Sequence, residues 1–219
     1  MTGTDWLAWH EAYRDPGSAL SLRLSIVRRH VAAWLDAAPT EPRVVSACAG
    51  EGRDLLGVLG THPRGREVHA RLVETDPALV ARARAAAAAA RLDRVEVLQA
   101  DAGLLDSYDG AVPADLVMMC GVFGNVPESD IRRTLAALPL LCAPRATVVW
   151  TRSRHEPDRT PAVRGWFRDS GFEEVAFEAP TGVLVSVGVH RLTAPPQPLR
   201  VDDQARPPEV SSRMFSFRD

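Results

Sequence analysis

The chain is 219 residues long, with 46% hydrophobic and 25% charged residues and a formal net charge of −2. That balance suits one globular domain with a sizeable core, and it gives no electrostatic case for a nucleic-acid or membrane partner. All 26 basic residues are arginine, which excludes lysine Schiff-base and lysine general-base chemistry.

The first residues, "MTGTDWLAWHEAY", have neither the basic n-region nor the apolar h-region of a secretory signal. No apolar stretch approaches the roughly 20 residues of a membrane span. Cys48, Cys120 and Cys142 lack metal-ligand spacing and are too few for a disulfide framework, so a reduced, cytoplasmic chain without a metal site is expected. "DPGS" at 15–18 reads as a turn with Ser18 as a helix N-cap. The helix that follows carries Leu24, Val27, Val31 and Trp34 on one side.

From Arg43 onward short apolar runs alternate with helical patterns, the signature of a parallel α/β sheet. Strands are expected at 44–49, 70–74, 95–100, 116–121 and 147–151. Helices are expected near 53–59, 77–92 and 128–142, the last kinked or shortened by Pro139. Another opens at Thr160-Pro161 and carries Val163, Trp166 and Phe167 on one face. Two β-like runs then follow Gly171, "FEEVAFEA" and "VLVSVGVHRL", separated only by Pro180-Thr181-Gly182. So short a connection makes an antiparallel hairpin and forbids a parallel crossover. The tail from Pro195 is proline-rich and irregular, with Met214, Phe215 and Phe217 as its docking residues.

In open α/β sheets ligands sit beyond the carboxyl ends of the strands, where the strand order reverses. Those ends carry "AGEG" at 49–52, "VETD" at 73–76, "QADA" at 99–102, "MCGVFGN" at 119–125 and "WTRSRH" at 150–155. A glycine turn between strand and helix lets a ligand approach the backbone closely. Glu74 follows Gly52 by 22 positions, near the spacing at which an acidic residue reaches a ribose diol. Asp101 ends the next strand and is able to accept a hydrogen bond from an exocyclic amine.

On these residues the chain resembles the class I S-adenosylmethionine-dependent methyltransferases, and most of all those of GC-rich bacteria. The resemblance covers roughly 43–192. It implies a Rossmann-like α/β fold of seven strands in the order 3-2-1-4-5-7-6, strand 7 antiparallel, with helices on both faces. It further implies that Ala49, Gly50 and Gly52 shape the cofactor turn, that Glu74 and Thr75 meet the ribose, and that Asp101 and Ala102 meet the adenine. Cys120, Gly121, Val122 and Phe123 would line the methionine end. The family turn usually reads acid-x-Gly-x-Gly-x-Gly; here Ser46 stands for the acid and Cys48 for the first glycine. Arg53-Asp54 or the N-terminal segment is the candidate to compensate at the amino-acid end of the cofactor.

The expected organisation is a helical cap over residues 1–42, a cofactor-binding domain over 43–193, and an irregular tail over 194–219. The cap places Tyr13 over the cofactor, with Trp6, Trp9 and His10 nearby. Methyl transfer from a sulfonium is a displacement, so alignment supplies most of its acceleration. A general base is needed only where the nucleophile keeps a proton, and His155, just after the fifth strand, is the candidate. Asn125 in "GNVPE" lacks the Asn-Pro-Pro-aromatic run of amino-group methyltransferases, and no acidic cluster of a metal-dependent enzyme is present. The expected activity is methyl transfer to a small-molecule acceptor, held between the N-terminal helices, the loop after Gly121 and Arg152, Arg154 and Arg159. An NAD-dependent oxidoreductase is disfavoured because Leu55 replaces the third fingerprint glycine. A non-catalytic subunit or sensor that binds S-adenosylmethionine is the alternative of a different class. The sequence leaves the oligomeric state open.

Overall fold

The computed structural model describes Tyr13, Asp15, residues 17–197 and residues 212–217. Trp6, Trp9 and His10 therefore lie outside the described residues. Seven strands form one sheet in the order β3-β2-β1-β4-β5-β7-β6. They are β1 (Arg43–Ala47), β2 (His69–Glu74), β3 (Val95–Gln99), β4 (Ala114–Met119), β5 (Cys142–Ser153), β6 (Phe172–Glu178) and β7 (Val185–Leu192). Strands β1 to β5 run parallel, and β7 pairs antiparallel with both β5 and β6. The sheet order, the antiparallel hairpin and the helices on both faces agree with the sequence expectation.

The central strands are apolar on both sides because helices cover both faces. Val44, Leu116, Met118 and Val149 face α1 (Ala19–Ala37), α2 (Leu55–Leu59) and α3 (Pro77–Ala89). Val45, Val117, Met119, Val148 and Trp150 face α4 (Glu128–Leu141) and α5 (Thr160–Asp169). Helix α1 starts where "DPGS" predicts: Gly17 N–H donates to Asp15 Oδ1 at 2.8 Å, and the Ser18 hydroxyl accepts from Ser21 N–H at 3.1 Å. Its Val27, Val31 and Leu35 are fully buried and the helix packs on β5 and β7. Each such side chain contributes roughly 1.5–3 kcal/mol. Trp34 is only half-buried, and Leu24 turns toward the carboxyl edge of the sheet.

Helix α3 is nearly all alanine behind a proline at its first position. The carboxylate of Asp76 accepts from Ala78 and Leu79 N–H at 2.7 and 3.1 Å and fixes its start. Helix α4 runs through Pro139 to Leu141, so the proline does not end it at that point. The proline forfeits one intrahelical N–H bond, and Leu135, Leu138, Leu140 and Leu141 anchor both sides of it in the core. Strand β5 is longer than the predicted 147–151, because the chain passes from α4 into extended backbone at Cys142 and pairs there with Ala114.

Where β5 meets β7, Trp150 lies over Gly188, and a Cβ at Gly188 would stand 2.2 Å from the indole. The indole N–H donates to His190 Nδ1 at 3.1 Å, which fixes the neutral Nε2–H tautomer. His190 is 1% exposed and stacks on Phe167 at 4.1 Å. Among the described residues its Nε2 has no hydrogen-bond partner, and Glu174 lies 3.7 Å away. Burial lowers the His190 pKa to about 4, Glu174 opposing the shift. The unfolded chain therefore binds this proton more readily than the folded one. The contribution is fully present above about pH 6.5, the ordinary histidine value, and is lost as the pH falls toward 4. Urea denaturation at pH 7 and pH 4.5 is expected to show a larger loss of stability for the wild type than for His190→Gln. Equal losses would remove His190 from the acid sensitivity.

Candidate functional site

Strand β1 ends at Ala47 because the backbone turns left-handed at Cys48, with φ of 51°. Gly50 and Gly52 follow with φ of 56° and 70°. A non-glycine residue in this region costs about 1–2 kcal/mol, so Cys48 holds a glycine-like conformation under strain. The turn thus keeps its shape even though cysteine occupies the first glycine position. Gly52 has a second constraint: a Cβ there would lie 2.7 Å from both Leu56 and Leu72, so only glycine lets α2 close on β2.

The carboxylate of Glu74 organises the turn. Its Oε2 accepts from Gly50 N–H at 2.8 Å, while Oε1 accepts from Thr75 N–H at 2.8 Å and Asp76 N–H at 3.0 Å. Glu51 ties the same turn outward, bridging Arg53 at 2.6 Å and Arg82 at 2.7 Å. On the far side Gly121 N–H donates to the Thr151 hydroxyl at 2.9 Å, and Asn125 Nδ2 donates to Gly121 O at 2.6 Å.

A cavity of ≈ 230 Å³ lies across these strand ends, at the switch point between β1 and β4. Cys48, Ala49 and Gly50 form its floor, and Glu74, Thr75, Asp76 and Leu79 one side. Asp101 and Ala102 reach it from the end of β3, and Cys120, Gly121 and Asn125 from the end of β4. Arg53 and Asp54 approach from the start of α2, and Arg23, Leu24 and Val27 from α1. Tyr13 and Phe217 complete it from the two ends of the chain. The sequence-derived candidates Tyr13, Cys48, Ala49, Gly50, Glu74, Thr75, Asp101, Ala102, Cys120 and Gly121 are therefore brought together.

Five candidates are not. Ser46 is sealed inside β1, Val122 and Phe123 are fully buried, and Gly52 lies beneath the turn against Leu56 and Leu72. Phe123 turns inward because its ring packs on Trp150 and Phe167. His155 is exposed in the loop after β5 and does not line the cavity. The arginines expected around an acceptor also face elsewhere. Arg152 donates to Phe123 O, Arg154 to Pro180 O and Val183 O, and Arg159 stands 3.9 Å from Glu128. Sequence reasoning missed Arg23, Leu24, Asp76 and Leu79 as lining residues, although helical spacing from Val27 marks Leu24 and Arg23 as neighbours on α1.

Asp54 accepts from Leu55 N–H at 2.8 Å. Burial pushes its carboxyl above the ordinary range, opposed by that N–H and by Arg23. The Tyr13 hydroxyl accepts from Arg23, its ring stands 5.5 Å from the Arg53 guanidinium, and burial raises its phenol. Burial also pushes both cavity thiols well up, helped by Glu74 and Asp101 at Cys48 and by Asp54 at Cys120. Both stay protonated at neutral pH and are poor nucleophiles. No group of His, Cys, Asp and Glu able to hold a metal occurs among the described residues, and no helix there is long and apolar enough to cross a membrane.

No family model matches the chain, and no curated protein matches its sequence. Among solved structures it is similar to magnesium protoporphyrin IX methyltransferase of Synechocystis PCC 6803 with bound SAM. That match has a TM-score of 0.66 at 15% identity and covers 87% of this chain and 92% of that one. A possible exported protein of Bordetella parapertussis matches with a TM-score of 0.63 at 21% identity, over 78% of this chain and 67% of the other. An O-methyltransferase family protein of Burkholderia thailandensis matches with a TM-score of 0.62 at 18% identity, over 80% and 56%. The chain thus spans little more than half of the Burkholderia protein. The fold is that of the S-adenosylmethionine-dependent methyltransferases.

The strain at Cys48 is open to measurement. Cys48→Gly is expected to fold and to be no less stable than the wild type, since glycine takes φ of this sign without a steric penalty. Cys48→Val is expected to be less stable than Cys48→Gly by about 1–2 kcal/mol in urea denaturation, the scale of the left-handed penalty. Equal stability of the two variants would mean that the turn is not held in this conformation in solution.

Proposed function

We propose that the protein binds S-adenosylmethionine in this cavity and transfers its methyl group to a small-molecule acceptor. The reading is carried by one observation: Glu74 and Asp101, at the ends of adjacent strands, face the same cavity as the left-handed turn at 48–52. The cavity walls also suit the chemical character of the ligand. They carry Asp54, Glu74, Asp76 and Asp101 against Arg23 and Arg53, an excess of carboxylate that favours a cation such as a sulfonium.

In this reading Glu74 holds the ribose hydroxyls and Asp101 accepts from the adenine amine, with Ala102 beside it. The amino-acid end is held by groups outside the usual strand position, which Ser46 occupies. Asp54 takes the ammonium, and Arg23 takes the carboxylate. Cys48, Cys120 and Gly121 are small and uncharged and leave room for the methionine portion. When bound, S-adenosylmethionine supplies an electrophilic methyl group.

The contribution of the chain is alignment, charge and exclusion of water. His155 does not line the cavity, and the thiols remain protonated, so neither is assigned a proton-transfer role. Leu24 and Val27 form an apolar wall, and Asn125 lies on the β4 side. The acceptor is placed there, in keeping with a small molecule of mixed polarity. Tyr13 covers this end, beside Arg23 and Arg53.

Calorimetry is expected to show S-adenosylhomocysteine binding in the micromolar range and no binding of NAD. The reverse pattern would end this reading in favour of an oxidoreductase. Glu74→Ala is expected to weaken S-adenosylhomocysteine binding by roughly 1.5–3 kcal/mol, the scale of a hydrogen bond to a charged group, or about 10–150-fold. The loss should fall in the upper part of that range, because the same carboxylate also orders Gly50 and Thr75. Unchanged affinity would make Glu74 a structural residue only.

A further inference from the structure

Residues 212–217 are seated between the turn after β3 and the start of α4. Leu105 N–H donates to Ser212 O at 2.9 Å, and Met214 N–H donates to Gly103 O at 2.7 Å. Leu104 and Arg213 form an antiparallel bridge. From α4, Thr134 Oγ1 and Arg133 Nε each donate to Met214 O at 3.1 Å, and Asp130 Oδ2 accepts from Ser216 N–H at 2.8 Å. Met214 and Phe215 are fully buried. The fit is close, for a Cβ at Gly103 would lie 2.1 Å from Phe215 O. A chain end held by this many bonds to two separate elements is a built part of the fold and not a passing tail.

Two side chains of this segment reach the cavity region. Arg213 Nη1 donates to Asp101 Oδ2 at 2.8 Å, while Asp101 Oδ1 accepts from Gly103 N–H at 2.8 Å. Asp101 is thereby clamped from both sides, and an ionised carboxylate still has lone pairs to offer a ligand. Phe217 lines the cavity and is 37% exposed, its ring set edge-on to Phe215 at 5.8 Å. A large aromatic side chain held against a buried neighbour while it lines a cavity is suited to a flat ligand.

We propose that this C-terminal segment is the nucleobase wall of the cofactor site, with Phe217 stacking on the base and Arg213 positioning Asp101 for the exocyclic amine. The proposal rests on the cofactor reading above. An aromatic face beside a fixed carboxylate selects an aminopurine, because an oxo group at the amine position would meet a second acceptor and leave both unsatisfied.

The test is calorimetry on full-length protein with two ligands, S-adenosylhomocysteine and methylthioadenosine, the second lacking the amino-acid end. Phe217→Ala is expected to weaken both by a similar factor, roughly 5–150-fold, the range for loss of one aromatic–base stack. Phe217→Trp should restore binding, and each unliganded variant should keep a cooperative melting transition. Arg213→Met should weaken both ligands in parallel and Arg213→Lys should recover part of the loss. Asp54→Asn, at the other end of the site, should weaken S-adenosylhomocysteine alone. Wild-type affinity of Phe217→Ala for both ligands, or a loss confined to S-adenosylhomocysteine, would overturn the wall while leaving the cofactor reading intact. Failure of the wild type to bind either ligand would overturn both.

Discussion

The Glu74 carboxylate holds the Gly50 N–H from one strand end and the Thr75 and Asp76 N–H groups from its own. This single group couples the turn after β1 to the exit of β2. Without it, several backbone donors near the cavity would lose their acceptor, at about 1–3 kcal/mol for each buried one. It also sets the direction of the chain into α3, since Asp76, oriented by the same carboxylate, caps that helix. The turn in turn positions Asp54 and Arg53, and with them the contact of Arg28, whose guanidinium donates to Arg53 O at 2.6 Å. Helix α1 is thereby fastened to the site and not only to the core.

Charge distribution follows from this arrangement. Four carboxylates border one small cavity, yet their partners differ: Glu74 and Asp76 are satisfied by backbone N–H groups, Asp101 by Arg213 and Gly103, and Asp54 by Leu55. Asp54 stands apart because burial disfavours its charge. A cationic group brought near it would offset that cost and hold the carboxyl in its charged form. The two thiols of the floor add little field, being protonated, and their small size leaves room in the cavity.

Much of the fold is legible in the sequence because the central strands are apolar on both faces and are separated by helices of ordinary length. The "PALVARARAAAA" helix and the closing hairpin are plain for the same local reasons. The boundaries that differ have specific causes. Strand β1 stops at Ala47 because Cys48 takes a left-handed conformation that residue type does not advertise, and β5 begins at Cys142 because long-range pairing with Ala114 extends it. In the site, the carboxyl-end acids and glycines are readable from order and spacing. Val122 and Phe123 are not, since only packing against Trp150 and Phe167 decides that they turn inward. His155 follows the right strand, but position in sequence does not say which way a loop side chain points. Phe217 and Arg213 reach the site across more than a hundred residues, a pairing that no local pattern encodes.

The docking of that distant segment can be weighed in physical terms. Closing a longer loop costs little extra, about 0.6 kcal/mol for each doubling of length. Against this stand the hydrogen bonds of Met214 and Ser216, near 1 kcal/mol each, and full burial of Met214 and Phe215 at roughly 1.5–3 kcal/mol each. These gains do not involve a ligand, so the segment is ordered before anything binds. A wall already in place spares a ligand the entropy of assembling it. The same holds at the opposite end, where Tyr13 is fixed to Arg23 and its carbonyl accepts from Ser21 at 3.4 Å. The cavity is therefore a property of the whole folded chain, with the sheet supplying its floor and the two chain ends its sides.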